Sequence, residues 1–344
     1  MRTGCLQEAY NRLVPRFEIA MKLKLRILML VAISAVGAAA SAQQPWPSHT
    51  VRIIATSPPG GSVDLLARVL AEDFSRSFGV PFVVESRPGA NGNIGVDLVV
   101  KAPADGHMLF VAPPGPFSIN AQLMSFMPFN PAADIAPVAM LGVAPLLLVV
   151  HPSVPAKNLQ ELIAWMRGEG AQAHYASQAI ASSGHLAMEL LKSLAGVDAV
   201  HVPYKGSAAQ ATTDLLAGRV AMSFVNTSTT LQHVRDGRLR AIAVAELKRI
   251  EAAPEIPTLA ESGLPGFEAT PWLGLGARSG TSRELIHRLN DRASRALAHP
   301  EVARRLANLG IEARPMMPDQ FAEFVRAETG KWADIIRRSG AKVE

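Results

Sequence analysis

Ser57-Pro58-Pro59-Gly60-Gly61-Ser62-Val63-Asp64 is the stretch with the clearest chemical potential. It follows a β-rich segment, Val51-Arg52-Ile53-Ile54-Ala55. It precedes Val63, Leu66, Ala67, Leu70 and Phe74, which recur at helical spacing. The expected order is strand, tight glycine turn, helix. Such a turn directs backbone N–H groups and the positive end of a helix dipole at one point, where an anion can sit. It can equally be a plain βα turn with Ser62 as the helix cap. Asp64 falls in the first helical turn, where a carboxylate suits the dipole but would oppose a bound anion.

The same pattern returns along the chain. Ser86-Arg87-Pro88-Gly89-Ala90-Asn91-Gly92-Asn93 is a second glycine-rich loop, and Pro113-Pro114-Gly115-Pro116 a third. Ser177 closes a short strand, Gln178 to Ser183 is a small-residue loop, and a helix follows from Gly184. Pro203-Tyr204-Lys205-Gly206 leads into another helix, and Asn226 ends another strand. Lys205 can pair with an anion or be solvated. Tyr204 can donate to a ligand or form a wall. Asn91 and Asn93 serve turns as readily as ligands.

Catalytic patterns are missing from the sequence. It has no G-x-S-x-G elbow, H-E-x-x-H pair, Walker lysine or G-x-G-x-x-G loop. Ser182 and Ser183 lie near His185 in sequence, but a triad is assembled in space. His185 and Glu189 stand at i, i+4, which is too few ligands for a metal centre. No cofactor, metal or catalytic residue is assigned. Met124 and Met127 read as core or cleft-wall filler.

The elements that carry these loops alternate β and α, the pattern of a largely parallel sheet with ligands at the carboxyl ends of strands. Strands are expected at 80–85, 108–112, 174–177, 200–202, 220–225 and 239–244. The apolar run Val143 to Val150 reads as one strand crossing into a second domain, and Trp272 to Gly276 as the return. Helices are expected at 94–101, 159–166, 184–194, 207–217, 283–298, 301–309 and 318–338, with a long loop at 254–266. Two domains joined by two crossovers would face one another across a gap. Uncharged N–H donors there can hold carboxylates without burying an unpaired cation.

The chain has 344 residues, 49% hydrophobic and 18% charged, enough for two domains. Met21-Lys22-Leu23-Lys24-Leu25-Arg26, the apolar run to Val36 and the ending Ala40-Ser41-Ala42 have the layout of a secretory signal. Cleavage is expected after Ala42, and Met21 reads as the true start. Removing 1–42 leaves 28 basic and 27 acidic residues, a net charge of +1, so the formal +5 does not argue for nucleic acid. The only cysteine, Cys5, leaves with that segment. The mature product is expected to be soluble, exported and free of disulfides.

With these motifs assembled, the chain resembles the Bug-type receptors of the tripartite tricarboxylate transporter family. The resemblance rests on Pro59-Gly60-Gly61 with Asp64, Arg87-Pro88-Gly89-Ala90 with Gly92-Asn93-Ile94-Gly95, and Asp105-Gly106. It continues through Tyr175-Ala176-Ser177, Ser182-Ser183, His185-Leu186, Val202-Pro203-Tyr204-Lys205-Gly206, Pro257-Thr258, Glu261, Gly263 and Trp272. It implies an α/β, two-domain, type II periplasmic-binding-protein architecture with two crossover strands. The expected division is 43–144 with 271–344 in one domain, and 145–270 in the other. It also implies a receptor that closes on a small organic acid and delivers it to a membrane permease or a sensor kinase; the oligomeric state stays open, and a monomer suits hinge closure best. Ligand contacts are expected from Pro59, Gly60, Gly61, Ser62, Asp64, Asn91, Gly115, Ser177, Ser182, Ser183, Tyr204, Lys205 and Asn226.

The sequence departs from the family pattern in places. Ser57 stands for a common Phe, Ser86 for Asn and His107 for Tyr. Ala179-Ile180-Ala181 stands for Gly-Asn-Gly, making that loop bulkier and more apolar. These changes point to a monocarboxylate with an apolar or aromatic body. The alternatives are an exported α/β enzyme acting on a carboxylate, and a sensor-coupled receptor with no transport role.

Overall fold

The computed structural model describes residues 46–169, 173–204 and 208–339. The expected cleavage site and start residue lie outside them.

β1 (Val51–Ala55) leads into α1 (Ser62–Phe78). Val63, Leu66, Ala67, Leu70 and Phe74 of α1 are buried. Each large apolar side chain among them stabilises the layer by about 2 kcal/mol. Gly79, at φ +73°, ends the helix by donating its N–H to Ser75 O. β2 (Phe82–Ser86), α2 (Asn93–Val100), β3 (Met108–Ala112) and β4 (Ile135–Val143) follow. β5 (Leu146–Val150), α3 (Leu159–Glu169), β6 (His174–Ser177), α4 (Ser183–Ala195), β7 (Val200–Pro203), α5 (Ala208–Leu216), β8 (Met222–Asn226), α6 (Thr227–Arg235) and β9 (Arg240–Val244) form the middle of the chain. β10 (Trp272–Arg278), α7 (Arg283–Leu297), α8 (Pro300–Asn308), β11 (Glu312–Ala313) and α9 (Pro318–Ser339) complete it.

The strands form two sheets, ordered β11-β4-β10-β3-β1-β2 and β7-β6-β8-β5-β9. Both are mixed rather than largely parallel. β10 runs against β3 and β4, and β5 runs against β8 and β9. The apolar run expected as one crossing strand is two. β4 ends at Val143 in the first sheet, and β5 starts at Leu146 in the second. Pro145 separates them because it has no N–H for a ladder. β4 itself carries Pro137 and Gly142, which hide its period, and α6 is too polar to stand out as a helix.

The registers place the turns. In the first sheet β1, β2 and β3 are parallel, and β4 runs with them because β10 opposes both β3 and β4. Their carboxyl ends therefore share one edge, where β10 starts with Trp272 opposite Val143. In the second sheet β6, β7 and β8 are parallel, and Leu146 at the start of β5 pairs with Asn226 at the end of β8. The chain thus leaves the first sheet at its turn-bearing edge and enters the second at its own. Only Ala144 and Pro145 lie between. Ala144 N–H donates to Pro271 O (2.8 Å), which ties this connection to the return before β10, and Thr227 N–H at the head of α6 donates to Pro145 O (3.0 Å).

Rings form the core under β10. Trp272, Phe117 and Phe321 meet with centroids 5.3 to 5.7 Å apart. A Cβ at Gly274 would meet Phe321 at 2.6 Å, and one at Gly276 would meet Phe110 at 2.3 Å, so these strand positions are glycine to admit the rings. α9 serves both cores. Phe321 and Val325 pack beneath the first sheet, while Trp332, Ile335 and Ile336 share a core with Tyr175 and Leu186. Between these halves, Glu328 Oε2 accepts from the indoles of Trp272 (3.3 Å) and Trp332 (2.9 Å). Among the described residues no helix is long and apolar enough to cross a membrane.

Candidate functional site

The β1–α1 turn is organised by a carboxylate. Asp64 is only 1% exposed. It accepts from Gly60 N–H (2.9 Å), from Arg68 Nε (2.9 Å) and Nη2 (3.1 Å), and from Ser86 Oγ (2.9 Å). Burial opposes its ionisation, but these bonds and the Arg68 charge outweigh burial and hold its pKa below the usual value. The sequence reading of this turn needs correcting in two respects. Gly60 and Gly61 do not offer their amides outward, since Gly61 N–H donates to Pro58 O (3.2 Å) and Gly60 N–H to Asp64. The helix cap is Gly61, not Ser62. The ladder begins with Leu65 N–H to Gly61 O, so the amides of Ser62, Val63 and Asp64 precede it. Pro59, Gly60 and Ser62 are exposed.

The neighbouring turns pack against this one through small residues. A Cβ at Gly92 would lie 3.0 Å from Pro116 and 3.2 Å from Thr56, so the second and third loops meet over the end of β1. Asn91 is exposed and left-handed (φ 51°), and its carbonyl accepts from Asn120 Nδ2 at 3.2 Å. The same Nδ2 reaches Asn93 Oδ1 at 2.7 Å, and a Cβ on Gly115 would meet Asn120 Oδ1 at 2.9 Å. Asn91 and Gly115 are therefore neighbours. Asn93 is buried, and its amide lies 3.1 Å from the sulfurs of both Met124 and Met127.

In the second sheet, Ser177, Ser182 and Ser183 belong to one turn between β6 and α4. Ser177 Oγ donates to Ala179 O (2.9 Å) and lies 2.5 Å from His201 Nε2. Ser182 caps α4 by accepting His185 N–H at 3.5 Å, and Ser182 N–H donates to Ala179 O at 3.1 Å. Ala181 is left-handed (φ 60°), and its N–H donates to His185 Nδ1 at 2.9 Å. Ile180 is 47% exposed. The first ladder bond runs from Leu186 to Ser182 O, which leaves the amides of Ser183 and Gly184 ahead of it.

Tyr204 joins this group through its N–H, which donates to Ser177 O at 3.1 Å. Its hydroxyl donates to Asp214 Oδ2 at 2.8 Å, so the proton expected for a ligand is already engaged within the lobe. Burial, then that bond, pushes its pKa up to about 12. Lys205 lies outside the described residues. Asn226 is exposed at the head of α6 and its side chain does not cap the helix.

Arg68 was missed, although its place four residues after Asp64 is the spacing of a helical ion pair. His201 was not legible, since nothing in sequence connects it with Ser177. A separate hollow of about 250 Å³ lies between α1, α7 and α8, away from these turns. Its cations are paired, Arg292 with Asp73 and Arg305 with Glu301, so it offers little surplus charge to an anion. Among the described residues no three His, Cys, Asp or Glu side chains are grouped to hold a metal.

Two α/β lobes with mixed sheets, the chain passing from the first sheet to the second through Ala144 and Pro145 and bearing small-residue turns at its strand ends, define a solute receptor of the periplasmic-binding-protein class. Comparison with known proteins narrows that class. The chain belongs to the family of tripartite tricarboxylate transporter receptors, whose model matches residues 66–341. It is 36% identical to Protein BugT of Bordetella pertussis over 317 residues, covering 92% of this chain and 97% of BugT. Among solved structures it is similar to R. palustris Rpa4515 with adipate, at 33% identity and TM-score 0.73, covering 87% of this chain and all of that one. It is also similar to MatC from Rhodopseudomonas palustris with bound malate, at 30% identity and TM-score 0.70, covering 85% of this chain and 100% of that one. The protein is thus an extracytoplasmic solute-binding receptor of this family.

Proposed function

We propose that the protein binds a small organic carboxylate between its two lobes, closes on it and presents it to a membrane permease of the tripartite type. The lobes in this reading are 43–144 with 271–344, and 145–270. One observation carries it: the turn-bearing edges of both sheets adjoin the same connection, Ala144–Pro145. Each edge offers amides that precede a helical ladder, Ser62 to Asp64 on one side and Ser183 and Gly184 on the other. Neutral donors of this kind hold a carboxylate without leaving a bare charge in the empty receptor.

The family relatives support the ligand class. Rpa4515 is described with adipate and MatC with malate, both carboxylates. Within that class Ile180, exposed on the 178–182 turn, favours an acid with an apolar or aromatic body over a short hydroxylated diacid. Titration calorimetry with benzoate, adipate and malate tests this. Benzoate is expected to bind more tightly than malate. Tight malate binding with none of benzoate overturns the preference, and no binding across a broad panel of organic acids overturns the function.

A further inference from the structure

We propose that His185 and His201 form a positioning pair that sets the shape of the 178–182 turn and so aims the Ser183 and Gly184 amides at the ligand. The inference rests on reading that turn as part of the carboxylate site.

The two imidazoles stack 4.0 Å apart and 5° from parallel, with Tyr175 stacked on His201 at 4.9 Å. The hydrogen bonds determine where their protons are. Ala179 O can only accept, so the single hydroxyl proton of Ser177 goes to it. Ser177 Oγ must then accept from His201, which carries its proton on Nε2. Ala181 N–H donates to His185 Nδ1, so that nitrogen is bare and the proton of His185 is on Nε2. His185 Nε2 faces Glu189 Oε1 at 3.9 Å, while Glu189 accepts from Tyr175 Oη (2.8 Å) and Lys192 Nζ (2.9 Å). Each imidazole thus grips one point of the turn: His201 donates from Nε2, and His185 accepts at Nδ1, which only its neutral Nε2–H tautomer can do.

The turn needs that grip. Ala181 holds a left-handed backbone that alanine adopts at a cost, and the bond to His185 compensates it. The bonds from Ala179 N–H and His185 N–H to Ser182 Oγ are long, at 3.4 and 3.5 Å. Protonating His185 at Nδ1 would set N–H against N–H. Burial, with the nearby Lys192 charge, keeps His185 neutral down to about pH 4.

The test compares His185→Asn, whose amide oxygen can take the place of Nδ1, with His185→Ala, which removes the acceptor. Hydrogen exchange of the 178–182 backbone is read by mass spectrometry in the full chain without ligand. Exchange is expected to be about tenfold faster in His185→Ala and near wild type in His185→Asn. Affinity for whichever of benzoate, adipate or malate the wild type binds should fall in parallel. Unchanged exchange in His185→Ala, or equal acceleration in both variants, overturns the inference. If His185→Ala does not fold, His185→Gln, which moves the polar group to the Nε2 position, replaces it, with the same two outcomes. Should the wild type bind no acid, exchange still decides the positioning role, and only the function fails.

Discussion

In the first lobe the turn after β1 is held by a buried carboxylate, and in the second the turn after β6 is held by neutral imidazoles. Asp64 draws Gly60, Arg68 and Ser86 together, so its turn depends on ionisation. His185 and His201 draw Ala181 and Ser177 together, and because His185 must accept at Nδ1, their turn depends on that ring staying uncharged. The contrast shows that one backbone device, amides ahead of a helix, can be locked by opposite charge states. Asp64 tolerates burial because four donor contacts, two of them from the Arg68 guanidinium, compensate it. The imidazoles need no counterion, which suits a position nearer the apolar core of Tyr175 and Leu186.

The largest expected effect is from Asp64→Ala. It strands the Gly60 amide and the Ser86 hydroxyl, and should cost about 3 kcal/mol in urea unfolding. A loss below about 0.5 kcal/mol would break the contrast at its first member. Gly184→Ala should cost about 2 kcal/mol, because its Cβ would lie 2.7 Å from the backbone oxygen of Phe224 and push α4 off β8.

The pH response sharpens the comparison. Burial lowers both imidazoles from the ordinary 6.5 to about 4, so the unfolded chain binds their protons more tightly. Their contribution is complete above pH 6.5 and declines as pH falls towards 4. The groups facing them are Glu189, Lys192, Tyr175 and Ser177, with Asp198 beyond Lys192. Asp64 contributes above 3.8 and loses its share only as pH drops through its depressed value. Urea midpoints at pH 7.5 and 5 should therefore fall, and His185→Asn with His201→Gln should flatten the slope. An unaltered slope in that double variant would separate the imidazoles from the effect.

Ala181→Gly should stabilise by about 1 kcal/mol, since glycine reaches φ 60° without strain. A thermal melt that drops instead would show that the alanine methyl packs usefully. The smallest effect on binding is expected from Tyr204→Phe. Its hydroxyl serves Asp214, so stability falls by about 1 kcal/mol while carboxylate affinity holds. A tenfold loss of affinity in calorimetry would return Tyr204 to the ligand.

Much of this was legible beforehand because it is local. β1 and the buried face of α1 follow from period and turn chemistry within one short window. The β6–α4 turn follows in the same way, its strand and helix bounds lying close to those expected. Where the reading failed, distant partners decided. Pro145 split an apolar run because its two halves pair with β10 in one sheet and β8 in the other. Gly60 looked like a ligand donor until the Asp64 side chain turned back to its amide. Chain order did not tie His201 to Ser177; the pairing of β7 with β6 did.

The order of short glycine turns, strands and amphipathic helices was set by residue type and spacing, since capping, φ preference and hydrophobic period act over a few positions. Which donor meets which acceptor was decided by sheet register. Register juxtaposes residues far apart in the chain, and a buried proton goes wherever that neighbour can accept it.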